Sequence, residues 1–102
     1  MIVITGSLPT KADARDQVIA AASAMAAETR KEAGCHGYTF AFDVEDETLV
    51  HIIEQWEDDA ALAAHMASPH MAAFGGQLAE IVAGAPQFTK FTNAEPGPLF
   101  PG

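Results

Sequence analysis

Apolar positions along this chain switch between a spacing of two and a spacing of three and four, and each switch marks a predicted element. "MIVIT" is a β-branched run closed by Gly6 and Pro9, which predicts a first strand. From Lys11 to Glu32 the stripe Ala14, Val18, Ala21, Ala22, Met25, Thr29 has helical spacing, with Asp16, Arg30 and Lys31 outside it. Thr10 is placed to cap this helix, with Asp13 completing a box-like start, and Gly34 to end it. In "GYTFAFDV" Tyr38, Phe40, Phe42 and Val44 alternate with Thr39, Ala41 and Asp43. After the acidic turn "EDE", "TLVHIIEQW" predicts a strand with Val50, Ile52, Glu54 and Trp56 on one face and Leu49, His51, Ile53 and Gln55 on the other. Asp58 or Asp59 caps a helix over "AALAAHMA". Ser68 and Pro69 break it and open a second stretch through Met71, Phe74, Leu78, Ile81 and Val82. Gly84 and Pro86 stop that stretch, and "QFTKFT" alternates as a last strand.

The order β-α-β-β-α-β is that of the ferredoxin-like split βαβ unit, an α+β fold with a four-stranded antiparallel sheet and both helices on one face. Residues 1–92 form the domain, and 93–102 a Pro/Gly-rich tail in which Phe100 could anchor on a partner. Helices cover one side of the sheet only. Leu49, Ile53 and their neighbours would leave an apolar patch on the other, which a second copy would bury. A homodimer is expected on that ground.

At 102 residues, with 49% hydrophobic and 19% charged residues, the chain has the material for one folded domain. Its formal charge of −9 and five scattered basic residues argue against nucleic acid and anionic membranes. No apolar run is long enough to span a bilayer, and the N-terminus lacks a signal-peptide pattern, so the expected location is cytoplasmic. The single cysteine, Cys35, forms no internal disulfide and has no Lys or Arg beside it to activate it. Nucleotide-binding, P-loop, C-x-x-C and G-x-S-x-G patterns do not occur.

The stretch "EQWEDDAALAAHMASPHMAAF" resembles the strand-to-helix signature of the antibiotic biosynthesis monooxygenase (ABM) domain family. Glu54, Trp56, Ala61, His65, Ser68, His70 and Phe74 occupy its spaced positions. "EAGCHGYTF" is similar to that family's turn into the second strand. The resemblance implies a dimeric α/β barrel. It also implies a range of activities, from cofactor-free oxidation of quinols and polyketide aromatics to haem degradation. Haem-degrading members carry an asparagine on the first strand, which "MIVITG" lacks.

Among the residues themselves, His65 leans toward the apolar stripe of its helix and could serve as a base on a phenol or quinol. The resulting anion would pass an electron to O2, so no cofactor is expected. Glu54 would orient His65, or make an architectural hydrogen bond instead. Trp56 and Phe74 are the expected apolar wall, with Tyr38, Phe40 and His70 as further substrate contacts. Each aromatic also reads as plain core packing. No metal site is expected, because His65 and His70 are five residues apart with Pro69 between them, whereas a pair on one helix face wants four. A non-catalytic ligand-binding dimer, or an isomerase acting on a small reactive carbonyl, stands as the alternative.

Overall fold

The computed structural model describes residues 1–101, so Gly102 of the expected tail lies outside the described residues. Strand β1 spans Ile2–Pro9, α1 Arg15–Thr29, β2 Cys35–Phe42, β3 Leu49–Trp56, α2 Asp59–Met66, α3 Pro69–Ile81 and β4 Gln87–Phe91. The sheet runs β2-β3-β1-β4, and every neighbouring pair is antiparallel. This is the ferredoxin-like arrangement, with the second helical stretch divided where Ser68 and Pro69 predicted.

Register decides which face each residue takes. Ile2 lies opposite Trp56, Ile4 opposite Glu54 and Leu8 opposite Val50, so these share the helix-covered side. Tyr38 opposite Glu54 and Phe40 opposite Ile52 extend that side onto β2. The core has two lobes. One gathers Ile2, Ala21, Met25, Tyr38, Trp56 and Phe74; the other gathers Leu8, Val18, Val50, Ile52 and Ile81. Alanines along α1 let it lie close to the sheet, as its stripe predicted.

Three local expectations need correction. Thr10 does not cap α1: its hydroxyl donates to the Thr48 carbonyl at 2.8 Å, tying β1 to the turn before β3. The helix begins at Arg15, four residues after the expected start at Lys11, without a side-chain cap. Val44 is fully exposed rather than part of the β2 stripe. The Asp43 carboxylate accepts from the backbone N–H groups of Glu45 and Asp46, turning the chain out of the strand. The uncovered sheet face is also less uniformly apolar than expected. Val3, Leu49, Ile53 and Phe91 occur there among Thr5, Thr39, His51, Gln55 and Thr89.

Gly34 ties α1, β2 and α2 together. Its φ of +82° is a left-handed conformation, and a Cβ placed there would lie 2.6 Å from the Ala61 Cβ. Gly34→Ala is therefore expected to cost about 2 kcal/mol or more in urea unfolding, the conformational part alone accounting for roughly 1–2 kcal/mol.

Candidate functional site

The chain after α1 drops Glu32 into the gap between α2 and α3, and there the site begins. Asp58 caps α2 by accepting from the Ala61 N–H, which fixes the rotation of the helix and turns His65 inward. Ser68 caps α3, its oxygen accepting from the Met71 N–H while its hydroxyl donates to the His65 carbonyl. Pro69 occupies the first turn of α3, where its missing N–H costs nothing. This break redirects the chain between the two histidines. On one straight helix, residues five apart would stand about 140° round from each other. Across the Ser-Pro corner both imidazoles reach the same carboxylate.

His65 Nδ1 lies 2.7 Å and His70 Nε2 2.8 Å from the same oxygen, Oε2 of Glu32. An ionised carboxylate only accepts, so each imidazole donates its proton to it. That leaves Nε2 of His65 and Nδ1 of His70 with free lone pairs. The two rings are not equivalent. His65 is 1% exposed, with its ring centroid 4.6 Å from Trp56 and 5.4 Å from Tyr38, whereas His70 keeps an open side.

Several site expectations are revised by this geometry. His65 is buried, so it does not meet a solvent-borne substrate directly. Glu54 is not its hydrogen-bonded partner; that place belongs to Glu32, which the sequence reading passed over. Glu54 instead accepts from Trp56 Nε1 at 3.0 Å. Trp56, wholly inaccessible, and Phe74 and Tyr38, nearly so, pack as core rather than as an open wall. Phe40 does line a crevice, a 270 Å³ space between α1 and β2 bounded also by Val18, Ala22, Arg30 and Phe42. His65 and His70 do not border that crevice. Tyr38 stands between, its ring centroid 5.3 Å from Phe40 and 5.4 Å from His65.

Burial raises the Glu54 carboxyl above its ordinary 4.5; the Trp56 N–H and nearby His65 oppose the rise, and Glu32 adds to it. Burial likewise raises the Tyr38 phenol, with Glu54 and Glu32 contributing. The folded state thus holds the Glu54 proton more tightly than the unfolded chain does. Its contribution favours folding below the ordinary carboxylate range and is lost as pH climbs from about 4.5 toward the raised value. Glu54→Gln keeps an acceptor for Trp56 and removes this penalty. Its melting temperature should exceed that of the wild type at pH 7, with the gap closing by pH 4.

The family model described as antibiotic biosynthesis monooxygenase matches residues 1–77. The chain belongs to this family. An uncharacterised protein of Synechocystis sp. is 27% identical over 94 residues, covering 92% of this chain and 64% of that protein. The probable quinol monooxygenase YgiN of Escherichia coli K12 is 40% identical over 52 residues, which cover 43% of this chain and 50% of YgiN. The chain thus matches about half to two thirds of the length of these relatives. A solved structure described as an antibiotic biosynthesis monooxygenase superposes with a TM-score of 0.86 at 25% identity, covering 94% of this chain and all of that one. Among the described residues, no helix is long and apolar enough to cross a membrane.

Proposed function

We propose that the chain acts as a homodimeric monooxygenase on a quinol-type aromatic, with the Glu32–His65–His70 cluster moving the proton. The observation that carries this reading is the single Glu32 oxygen bonded to both imidazoles. His70 is the base that meets the substrate through Nδ1. Glu32 and the buried His65 are positioning residues that fix the tautomer of His70 and stabilise the positive charge it acquires. Removal of a phenolic proton gives an electron-rich anion that passes one electron to O2. Recombination of the radical pair forms a carbon–oxygen bond at the ring, and loss of water from the hydroperoxide leaves a hydroxyquinone. One oxygen atom is retained and the other leaves as water. The substrate supplies all the electrons, so neither flavin nor metal is required.

The crevice beside Phe40 is cut off from the cluster by Tyr38, so the substrate meets His70 on the open side of its ring and not there. The family assignment and the partial match to YgiN support the quinol class. Ile53 and Phe91, each about half-exposed on the bare sheet face, support the homodimer. The test is oxygen uptake by chelator-treated protein across a panel of hydroquinones. Wild type should consume O2 with hydroxyquinone formed in equal amount. His70→Ala should lose about a hundredfold in kcat/KM, the contribution of a positioned base. Equal rates for the two proteins would remove His70 from the mechanism, and formation of an isomer without oxygen uptake would replace the reaction class.

A further inference from the structure

The three donors that hold the proton also form the inner coordination set of a metal centre. Nδ1 of His65, Nε2 of His70 and a carboxylate oxygen of Glu32 all lie within 4.8 Å of one another. Two imidazole nitrogens and one carboxylate oxygen are the donor set of open, three-ligand zinc sites, with the fourth position left to water. Such an ion binds at roughly 2.0–2.1 Å, which places tetrahedral donors about 3.3 Å apart. The present separations of 2.7 and 2.8 Å therefore need open by only about half an ångström, as the two bridging protons give way to the ion.

The surroundings favour a cation. Glu32 takes part in no ion pair with lysine or arginine among the described residues. Lys31 turns its ammonium to Glu28, and Arg30 donates to the Tyr38 carbonyl. The donors come from three separate segments, the α1–β2 turn, α2 and α3, each fixed by its own cap or core contacts. A centre supported in this way needs little rearrangement on loading. His65 anchors its deep side, and the open side of His70 leaves a path for entry and for a water ligand.

We propose that Glu32, His65 and His70 bind one divalent transition-metal ion of the zinc class. A further consequence, which does rest on the monooxygenase reading, is that the ion is an inhibitor. It binds the nitrogen of His70 that donates to Glu32 and consumes the charge of Glu32, so the imidazole can no longer be driven to accept a substrate proton. The proton that the ion displaces from His70 Nε2 moves to Nδ1, the nitrogen that would meet the substrate, so metal binding and base catalysis compete for one cluster.

Untagged protein stripped with a chelator and titrated with Co2+ alone, followed by visible absorption, tests the site without any substrate. The expected result is a tetrahedral-type band that saturates at one equivalent and is displaced by one equivalent of Zn2+. Glu32→Gln and His70→Ala should each weaken binding at least a hundredfold, whereas His36→Ala and His51→Ala, which alter histidines paired to Glu57 and Asp43 away from the cluster, should bind as the wild type does. His70 is partly exposed and Glu32→Gln is isosteric, so these two variants should stay folded even if His65→Ala does not. Wild-type binding no tighter than that of His70→Ala, or loss of the band on replacing His36 or His51, would overturn the proposal. Oxygen uptake then separates the two claims. Activity that persists at one bound equivalent of Zn2+ defeats the competition but leaves the site, while absent activity with intact Co2+ binding defeats the monooxygenase reading alone.

Discussion

Trp56→Ala should unfold in urea with a midpoint so lowered that about 3–5 kcal/mol is lost, on the scale of buried large-to-small substitutions. Trp56 is completely enclosed in the core lobe that also contains Ile2, Met25, Tyr38 and Phe74. The tilted His65 ring, its centroid 4.6 Å away, would lose its neighbour as well. A second cost adds to the cavity: Glu54 is buried, and its one side-chain hydrogen bond comes from the indole N–H. Leaving a buried acceptor unsatisfied costs about 1–3 kcal/mol. Domains of this size have roughly 5–15 kcal/mol in total, so the variant stands near the edge of folding. Trp56→Phe separates the contributions, since it refills most of the cavity and withholds the N–H. It should fall between wild type and Trp56→Ala. Introducing Glu54→Leu beside Trp56→Phe, where no acceptor is left to satisfy, should recover part of the difference. If Trp56→Phe matched the wild type, the Glu54 bond would contribute nothing to stability.

This role of Trp56 shows where the sequence was informative and where it was not. Alternation along β3 correctly placed Glu54 and Trp56 on the covered face, because a period of two leaves only two choices for each side chain. The succession of elements implied the ferredoxin-like class, and Asp58, Ser68 and Pro69 announced both later helices. Cap chemistry is local, and so it is legible. Thr10 failed for the opposite reason. Its hydroxyl had a better partner 38 residues away, and nothing near it in the chain signals that contact. Glu32 is the sharper case. In "RKEAGCHG" it looks like one more solvated charge after a helix, yet its partners stand 33 and 38 residues further on. The histidines could be found because imidazoles are rare enough to list. Which of several carboxylates would join them depends on how α1 crosses α2 and α3, information held in the packing of alanine and methionine rather than in any motif. The spacing of His65 and His70 argues only against a pair on one helix face; it says nothing of a carboxylate from another segment, and Glu32 is what brings the three donors together.

The sharpest test of the site is a change of charge without a change of shape. Glu32→Gln preserves the length of the side chain and an oxygen that can accept from His65 Nδ1 and His70 Nε2, so the core should not notice it. What disappears is the negative charge that becomes valuable only once His70 has taken a proton. An interaction made in the transition state and not in the ground state appears in kcat and leaves KM alone. Glu32→Gln is accordingly expected to lower kcat for oxygen uptake by roughly 10–100-fold, the effect typical of a partner that supports a working imidazole, with KM and melting temperature close to wild type. Phe40→Ala, which opens a crevice that Tyr38 separates from the cluster, should leave kcat near that of the wild type. The contrast matters because Glu32 could be a purely structural clamp between α2 and α3. A clamp would lose stability on conversion to the amide and would affect both kinetic constants through disorder of the site. Glu32→Gln with full kcat would show that the doubly bonded carboxylate holds two helices together and takes no part in moving a proton.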